Sequence, residues 1–257
     1  FILAGLYKSI GQSALAYLIL QTFQALLGGI TCYLVFQIGR EYRDGPLGLI
    51  AGLICALYPP LIYITTSVHP INFYIPLNCL LLLALTQSVK QGKIGKGILA
   101  GFVIGLLSLF RSEALLYLGI VAAWIIFYQF PRVSNGLRLM IPFTLMAVLV
   151  ISPWLFRNYL IFDHFIPGTT TLGFNLWRGQ NQNATGTGRN WQGQGTDSFP
   201  PTLAKQINNI PPSSSFELDR DLILRQEAIE FIKENPMQSL QLAFQKFFFF
   251  WFVDLTH

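Results

Sequence analysis

Two arginines in this chain sit where chemistry at a membrane edge is possible. Arg111 lies in Phe110-Arg111-Ser112-Glu113, and Arg157 lies in Pro153-Trp154-Leu155-Phe156-Arg157-Asn158. A guanidinium is planar, permanently charged and forked, so it suits the paired oxygens of a phosphate. Each arginine adjoins an apolar run. Arg111 therefore reads either as an anion ligand or as a cation that snorkels to the interface. Glu113 reads as a supporting acid or as an exposed one. Residues two apart on a helix do not face each other, so Arg111 and Glu113 are expected to point to different partners. Arg157 reads either as an anion ligand, with Asn158 beside it, or as an interfacial anchor stacked on Trp154.

Weaker candidates follow. His69, in Ser67-Val68-His69-Pro70, has no ligand partner at metal spacing, since the other histidines are His164 and His257. It reads as a turn residue ahead of a catalyst. The stretch from Gly173 to Asn181 holds Asn175, Trp177, Arg178 and Asn181. Amides and an aromatic face suit a sugar, and a plain Gly/Asn loop is the alternative. Asn183-Ala184-Thr185 fits a glycosylation acceptor, a pattern frequent by chance. Cys32, Cys55 and Cys79 each sit inside an apolar run with no CxxC pair, so they read as small buried hydrophobes. The sequence contains no P-loop, no zincin pattern, no GxSxG and no Cys/His cluster. No cofactor is expected, and the question of a divalent metal is left open.

The elements that must carry these residues are membrane helices. Of the 257 residues 53% are apolar and 11% charged, and mean hydropathy is +0.49. An ordinary soluble domain is about 25% charged. Six runs approach the roughly 20 apolar residues needed to span: about 14–38, 46–64, 71–89, 97–110, 114–130 and 139–155. The fourth is short and needs flanking residues. Lys and Arg gather in alternate loops, at Arg40/Arg43, at Lys90/Lys93/Lys96 and at Arg132/Arg138. The positive-inside rule puts those loops in the cytoplasm. The turns at 65–70 and 111–113, and everything after Arg157, then face outward. The net charge of +5 reads as topology signal, without the basic stripe or stacking platform that nucleic acid would require.

Gly48 and Gly52 are four apart, as are Gly97, Gly101 and Gly105. Such spacing lets helices approach closely, within one bundle or across a dimer, and intramolecular packing is the favoured reading. Tyr58, Tyr63, Trp124, Tyr128, Trp154 and Tyr159 fit interfacial belts. From 158 to 236 the chain turns polar, and residues 168–191 are too poor in apolar side chains to form a core alone. Ser214 with Glu217 fits a capping box. A helix is expected over 216–234, with Leu218, Leu222, Ala228, Ile229 and Ile232 on its apolar side, lying against the membrane surface or the bundle. A seventh span starts near Leu240. The organisation read from sequence is a bundle over 1–157, an extracytoplasmic region over 158–236 and a further span begun in 237–257. The chain opens at Phe1 and stops at His257 beyond an aromatic run, so it reads as a fragment or a processed chain.

At these residues the chain resembles the GT-C superfamily of membrane glycosyltransferases. The likeness is to the bacterial branch related to protein O-mannosyltransferases and aminoarabinose transferases, glycosyltransferase family 39-like. Leu57-Tyr58-Pro59 with Tyr63 resembles that family's helix leaving the membrane. Phe110-Arg111-Ser112-Glu113 resembles its Arg-Pro-Glu turn, with Ser112 in place of Pro. Ser152-Pro153-Trp154 through Arg157-Asn158-Tyr159 resembles its Pro-Trp-x-x-Arg-Asn-Tyr signature. Gly173 to Asn181 resembles the Gly-x-Asn-Leu loop that follows, and Glu227 to Lys246 its last outer helix and re-entry span. The turn at His69-Pro70 lacks the acid often found there.

The resemblance implies an all-α polytopic bundle in the plasma (inner) membrane, acting on the extracytoplasmic face. It implies a polyprenyl-phosphate sugar donor, an acceptor left unnamed, and a lipid bilayer as surroundings, with no nucleic-acid partner. The family's catalytic acid falls in a first outer loop, expected upstream of Phe1. Arg111, Arg157 and Arg178 would hold the donor phosphate. Glu113, His69, Asn158, Asn175 and Asn181 would support them or contact substrate. The two arginines from separate helix ends are expected to share one wet pocket. A transporter or flippase, and a catalytically inactive member of the family, are the competing readings.

Overall fold

A computed structural model describes residues 2–42, 45–187, 199–213 and 215–252. Arg43, Ser214 and His257, named above, lie outside them. The described residues are predominantly helical, with no strand among them. The chain divides into two compact units, residues 1–156 and 157–257.

The first unit begins with α1 (Ile2–Ile10) and α2 (Ala14–Tyr42), followed by α3 (Pro46–Leu57) and α4 (Pro59–Thr66). Then come α5 (Ile71–Gln91), α6 (Ile94–Phe110), a 3-10 turn at Ser112–Ala114, α7 (Leu115–Tyr128) and α8 (Val133–Phe162), whose last turns enter the second unit. By length and apolarity α2, α5 and α8 can each cross a membrane, and α3 with α4, bent by 51°, forms a broken span or a re-entrant loop. The bend falls at Tyr58, whose backbone is extended, because Pro59 and Pro60 donate no N–H to the preceding turn. The fourth predicted run extends back to Ile94, so it does borrow flanking residues. The fifth is shorter than expected, 14 residues of α-helix after the 3-10 turn.

Glycines set the packing. A β-carbon on Gly101 would stand 2.1 Å from the Phe143 carbonyl oxygen, and one on Gly105 2.6 Å from the Val150 Cβ. The facing stripe of α8, Leu139, Phe143, Ala147 and Ile151, is buried at four-residue intervals. Likewise a β-carbon on Gly48 would stand 2.6 Å from the Phe36 carbonyl oxygen, and one on Gly52 3.2 Å from the Phe36 Cβ. The small-residue faces are thus consumed inside the bundle, as favoured from sequence. The outside is apolar: α7 buries Val121 and Ile125 while Leu116, Ile120 and Phe127 stay exposed. A helix apolar on both faces is what a lipid surround requires.

Hydrogen bonds fix which helix ends lie together. At one end Gln87 Nε2 donates to Glu41 Oε1 at 2.7 Å and Gln129 Nε2 to the Val89 carbonyl at 3.3 Å. Lys90 Nζ caps the Glu41 carbonyl. At the other end the α4 carbonyls are collected by α2: Tyr17 Oη and Gln21 Nε2 reach Thr66 O at 3.3 and 3.2 Å, and Gln24 Nε2 reaches Ser67 O at 3.2 Å. Buried Asn72 adds bonds from Nδ2 to Ile64 O at 2.9 Å and Ser67 O at 3.0 Å. Unpaired carbonyls at a helix end are costly where water is scarce, and these amides remove that cost.

The second unit contains α9 (Leu172–Gly179), α10 (Pro201–Asn208), α11 (Phe216–Glu234) and α12 (Pro236–Phe252). Residues 172–179 are helix, not loop, and they do join a core, with Trp177, Leu203, Ile207, Leu224 and Ala228 packed together. The expected helix over 216–234 is α11, but its buried residues are Leu224, Ala228 and Phe231. The apolar side expected from sequence is rotated, and Leu222 is exposed, because the packing partner is a protein core of its own unit. Ser214 of the expected capping box lies outside the described residues, while the Glu217 carboxylate accepts from Thr170 Oγ1 at 3.0 Å.

Candidate functional site

Arg111 follows the last turn of α6 with extended backbone, φ −145° and ψ 118°. Its N–H still bonds the Leu107 carbonyl at 2.9 Å, so it terminates α6 while its side chain leaves the helix direction. That geometry overturns the expectation of separate partners for Arg111 and Glu113. The i, i+2 rule holds within a helix, and here an extended residue is followed by a 3-10 turn. Arg111 Nη2 stands 3.5 Å from Glu113 Oε1, with both side chains more than half exposed. On another side, the guanidinium carbon lies 6.0 Å from the Tyr74 ring centroid. A hydrogen bond from its own backbone N–H holds the Glu113 carboxyl below the ordinary carboxylate value; partial burial opposes this, and the nearby Arg111 charge assists it. Glu113 is therefore an anion at neutral pH.

The supporting surface comes from α5. Phe73 stacks on Phe110 with centroids 5.8 Å apart, which brings the first turn of α5 beside the end of α6. Tyr74 follows Phe73 and, like Tyr117 of α7, is partly buried against the core of the first unit. His69 is exposed in the turn before α5, and its Nδ1 accepts from the Ile71 N–H at 3.2 Å, a turn-closing role.

In the second unit Arg157 is exposed on α8, and Nη1 donates to Asn158 Oδ1 at 3.4 Å. Asn158 is buried, its Nδ2 donating to the Ile166 carbonyl at 3.3 Å, so it ties the end of α8 to the following loop. Asn175 is exposed on α9, and Arg178 half-exposed. Asn181 is engaged locally: Nδ2 donates to Trp177 O at 2.8 Å and Oδ1 accepts from Asn183 N at 2.8 Å. Trp177 is only 4% exposed and its ring meets Phe199 at 4.9 Å. The aromatic face expected to meet a sugar is therefore a core side chain, hidden because α10 and α11 close over it.

Gly173 has a packing role: a β-carbon there would lie 2.0 Å from the Asp221 carbonyl oxygen. The Asp221 carboxylate accepts from the N–H groups of Gly173 and Phe174, both at 2.9 Å, and so fills the N-terminus of α9. Lys246 Nζ bonds the Gly179 carbonyl at 2.6 Å at the other end of that helix. Both charges match the helix dipole. Sequence reasoning misses Asp221 as a partner, since nothing local links positions 48 residues apart. It also misses Tyr74, which reads as one more aromatic in an apolar run. Gln21 and Gln24, three apart inside such a run, are a usable signal for the polar helix end they serve.

A cavity of about 220 Å³ opens at the bend between α3 and α4, lined among others by Gly28, Cys32, Cys55, Ile62 and Asn72. None of the residues singled out for chemistry lines it. The cysteines are free and half-buried, less enclosed than expected. Among the described residues no group of three or more His, Cys, Asp or Glu is placed to hold a metal ion.

An all-α bundle with helices long and apolar enough to cross a membrane defines a polytopic membrane protein, and sequence comparison narrows this to glycosyl transfer. Residues 1–156 match the family model described as dolichyl-phosphate-mannose-protein mannosyltransferase. The match spans more than half of the chain, which belongs to that family and is a membrane glycosyltransferase of the GT-C type. No curated protein and no solved structure matches it.

Proposed function

We propose that the protein transfers a sugar from a polyprenyl-phosphate-linked donor to an acceptor on the extracytoplasmic face of the plasma membrane. The observation that carries this reading is the Arg111 guanidinium, outside the helix direction and largely exposed, steadied by Tyr74 and Glu113. The acceptor hydroxyl or amine attacks the anomeric carbon as its bond to the phosphate oxygen breaks. A carboxylate takes the acceptor's proton, and the polyprenyl phosphate leaves with the electron pair. Fixed cations stabilise the charge growing on that phosphate. Arg111 and Arg157 serve in this role, with Arg178 a third. Asn175 and Asn181 contact sugar or acceptor, Asn158 and His69 support the helix ends, and Glu113 shapes the turn that presents Arg111.

Transfer from a radiolabelled polyprenyl-phosphate mannose in proteoliposomes tests the reading. Arg111→Ala and Arg157→Ala are expected to lower kcat/KM by about a hundredfold, as for loss of one oxyanion donor, with membrane insertion intact. Wild-type rates in both variants would overturn the phosphate role. The bent α3–α4 pair is the feature a transporter reading draws on, since broken helices line many transport sites. Uptake of the donor into liposomes without sugar transfer would favour that reading.

A further inference from the structure

We propose that Tyr74 is a positioning residue for Arg111, holding the guanidinium ready for the phosphate of a polyprenyl lipid; this rests on the donor-phosphate role given to Arg111 above. The exposed arginine would sample many rotamers in water, and each one frozen on binding weakens affinity. Two contacts restrict it here. The guanidinium carbon lies 6.0 Å from the Tyr74 ring centroid, within the range of cation–π attraction. Glu113 Oε1 stands 3.5 Å from Nη2.

The ring has packed surroundings. Tyr74 and Tyr117 of α7 both pack against the buried core of the first unit. The carbonyl of Tyr74 accepts from Asn78 Nδ2 at 2.8 Å within α5. The neighbouring Phe73 ring stacks on Phe110 with planes only 15° apart, and Phe110 directly precedes Arg111. Phe23 of α2 touches Phe73 at 5.9 Å. A packed aromatic surface therefore stands beside one exposed cation. An aromatic face attracts the guanidinium without neutralising it, so the charge remains available to a phosphate. Glu113 shares that charge and would give way when a more strongly charged phosphate arrives.

The test is binding of polyprenyl monophosphate to the full chain in nanodiscs, with the uncharged polyprenol as control. Tyr74→Leu is expected to weaken phosphate binding about three- to fivefold, the scale of an exposed cation–π contact. Tyr74→Phe, which keeps the ring and loses only the hydroxyl, is expected to restore near-wild-type affinity. Polyprenol binding stays unchanged in all variants. In an Arg111→Ala background Tyr74→Leu adds nothing, as required of residues that act through one another. If Tyr74→Phe is as weak as Tyr74→Leu, or if Tyr74→Leu binds like wild type while Arg111→Ala does not, the positioning role is overturned and the donor-phosphate role stands. If Arg111→Ala itself binds like wild type, the donor-phosphate role falls first. Should Tyr74→Leu fail to fold, Tyr74→Trp carries the test. Its larger ring face is expected to keep or tighten binding, and a loss of fivefold or more would count against the proposal.

Discussion

Gly101 and Phe143 approach so closely that a β-carbon on the glycine would stand 2.1 Å from the phenylalanine's carbonyl oxygen. The obstacle is backbone, which cannot swing aside as a side chain can. Gly101→Ala is therefore expected to destabilise the bundle by about 1–3 kcal/mol or more, the usual cost of overpacking. Gly95→Ala in the same helix meets nothing within 4 Å, and is expected to be neutral or stabilising by up to about 1 kcal/mol. Thermal unfolding in detergent compares the two, and equal effects would contradict the packing described.

In the second unit Asp221 closes the N-terminus of α9 through two charge-assisted hydrogen bonds, to the N–H groups of Gly173 and Phe174. Asp221→Asn keeps the shape and one acceptor oxygen but loses the charge. It is expected to cost about 1.5–3 kcal/mol, seen as faster proteolysis between residues 172 and 187. Gly173→Ala should be at least as damaging, since its β-carbon would lie 2.0 Å from the Asp221 carbonyl oxygen. Unchanged proteolysis in both variants would show that α9 is not held this way.

The Arg111–Glu113 pair has a defined pH response. The Glu113 carboxyl is held below its ordinary value of 4.5. Such a group contributes stability that is fully present above the ordinary value and is lost as the pH falls through the lower, folded one. The pair should thus be intact across neutral pH and give way only below 4.5, and its exposure keeps the contribution small. Carbon-13 NMR of the labelled Glu113 side chain reads the midpoint directly. A midpoint above the ordinary value would contradict the assigned contacts.

Sidedness can be read chemically. With Cys32, Cys55 and Cys79 replaced by Ala, single cysteines at exposed His69 and Asn183 are expected to react with a membrane-impermeant maleimide added outside cells. A cysteine at Lys93 should react only after the membrane is opened. The reverse pattern would invert the proposed topology.

Much of this molecule is legible in its amino-acid sequence. Residues 14–38 and 71–89 are apolar enough that only a helix satisfies their backbone in lipid, and α2 and α5 follow them closely. Pro59 and Pro60 announce a break because a missing N–H is a local property. Gly97, Gly101 and Gly105 announce a close-packed face for the same kind of reason, since the absence of a side chain is written at each position. Arg111 is recognisable by its charge at the end of an apolar run.

The partners of these residues are decided by tertiary structure alone. The i, i+2 rule gives the wrong relation for Arg111 and Glu113, because the helix ends one residue earlier than that rule needs. Trp177 suits a sugar platform only until α10 and α11 fold over it. Tyr74 is one aromatic among many until α6 ends beside its ring. Chain-local physics determines whether a segment is helical, apolar, broken or charged. Which surface a side chain meets depends on segments tens of residues away, and no single stretch of sequence encodes that meeting.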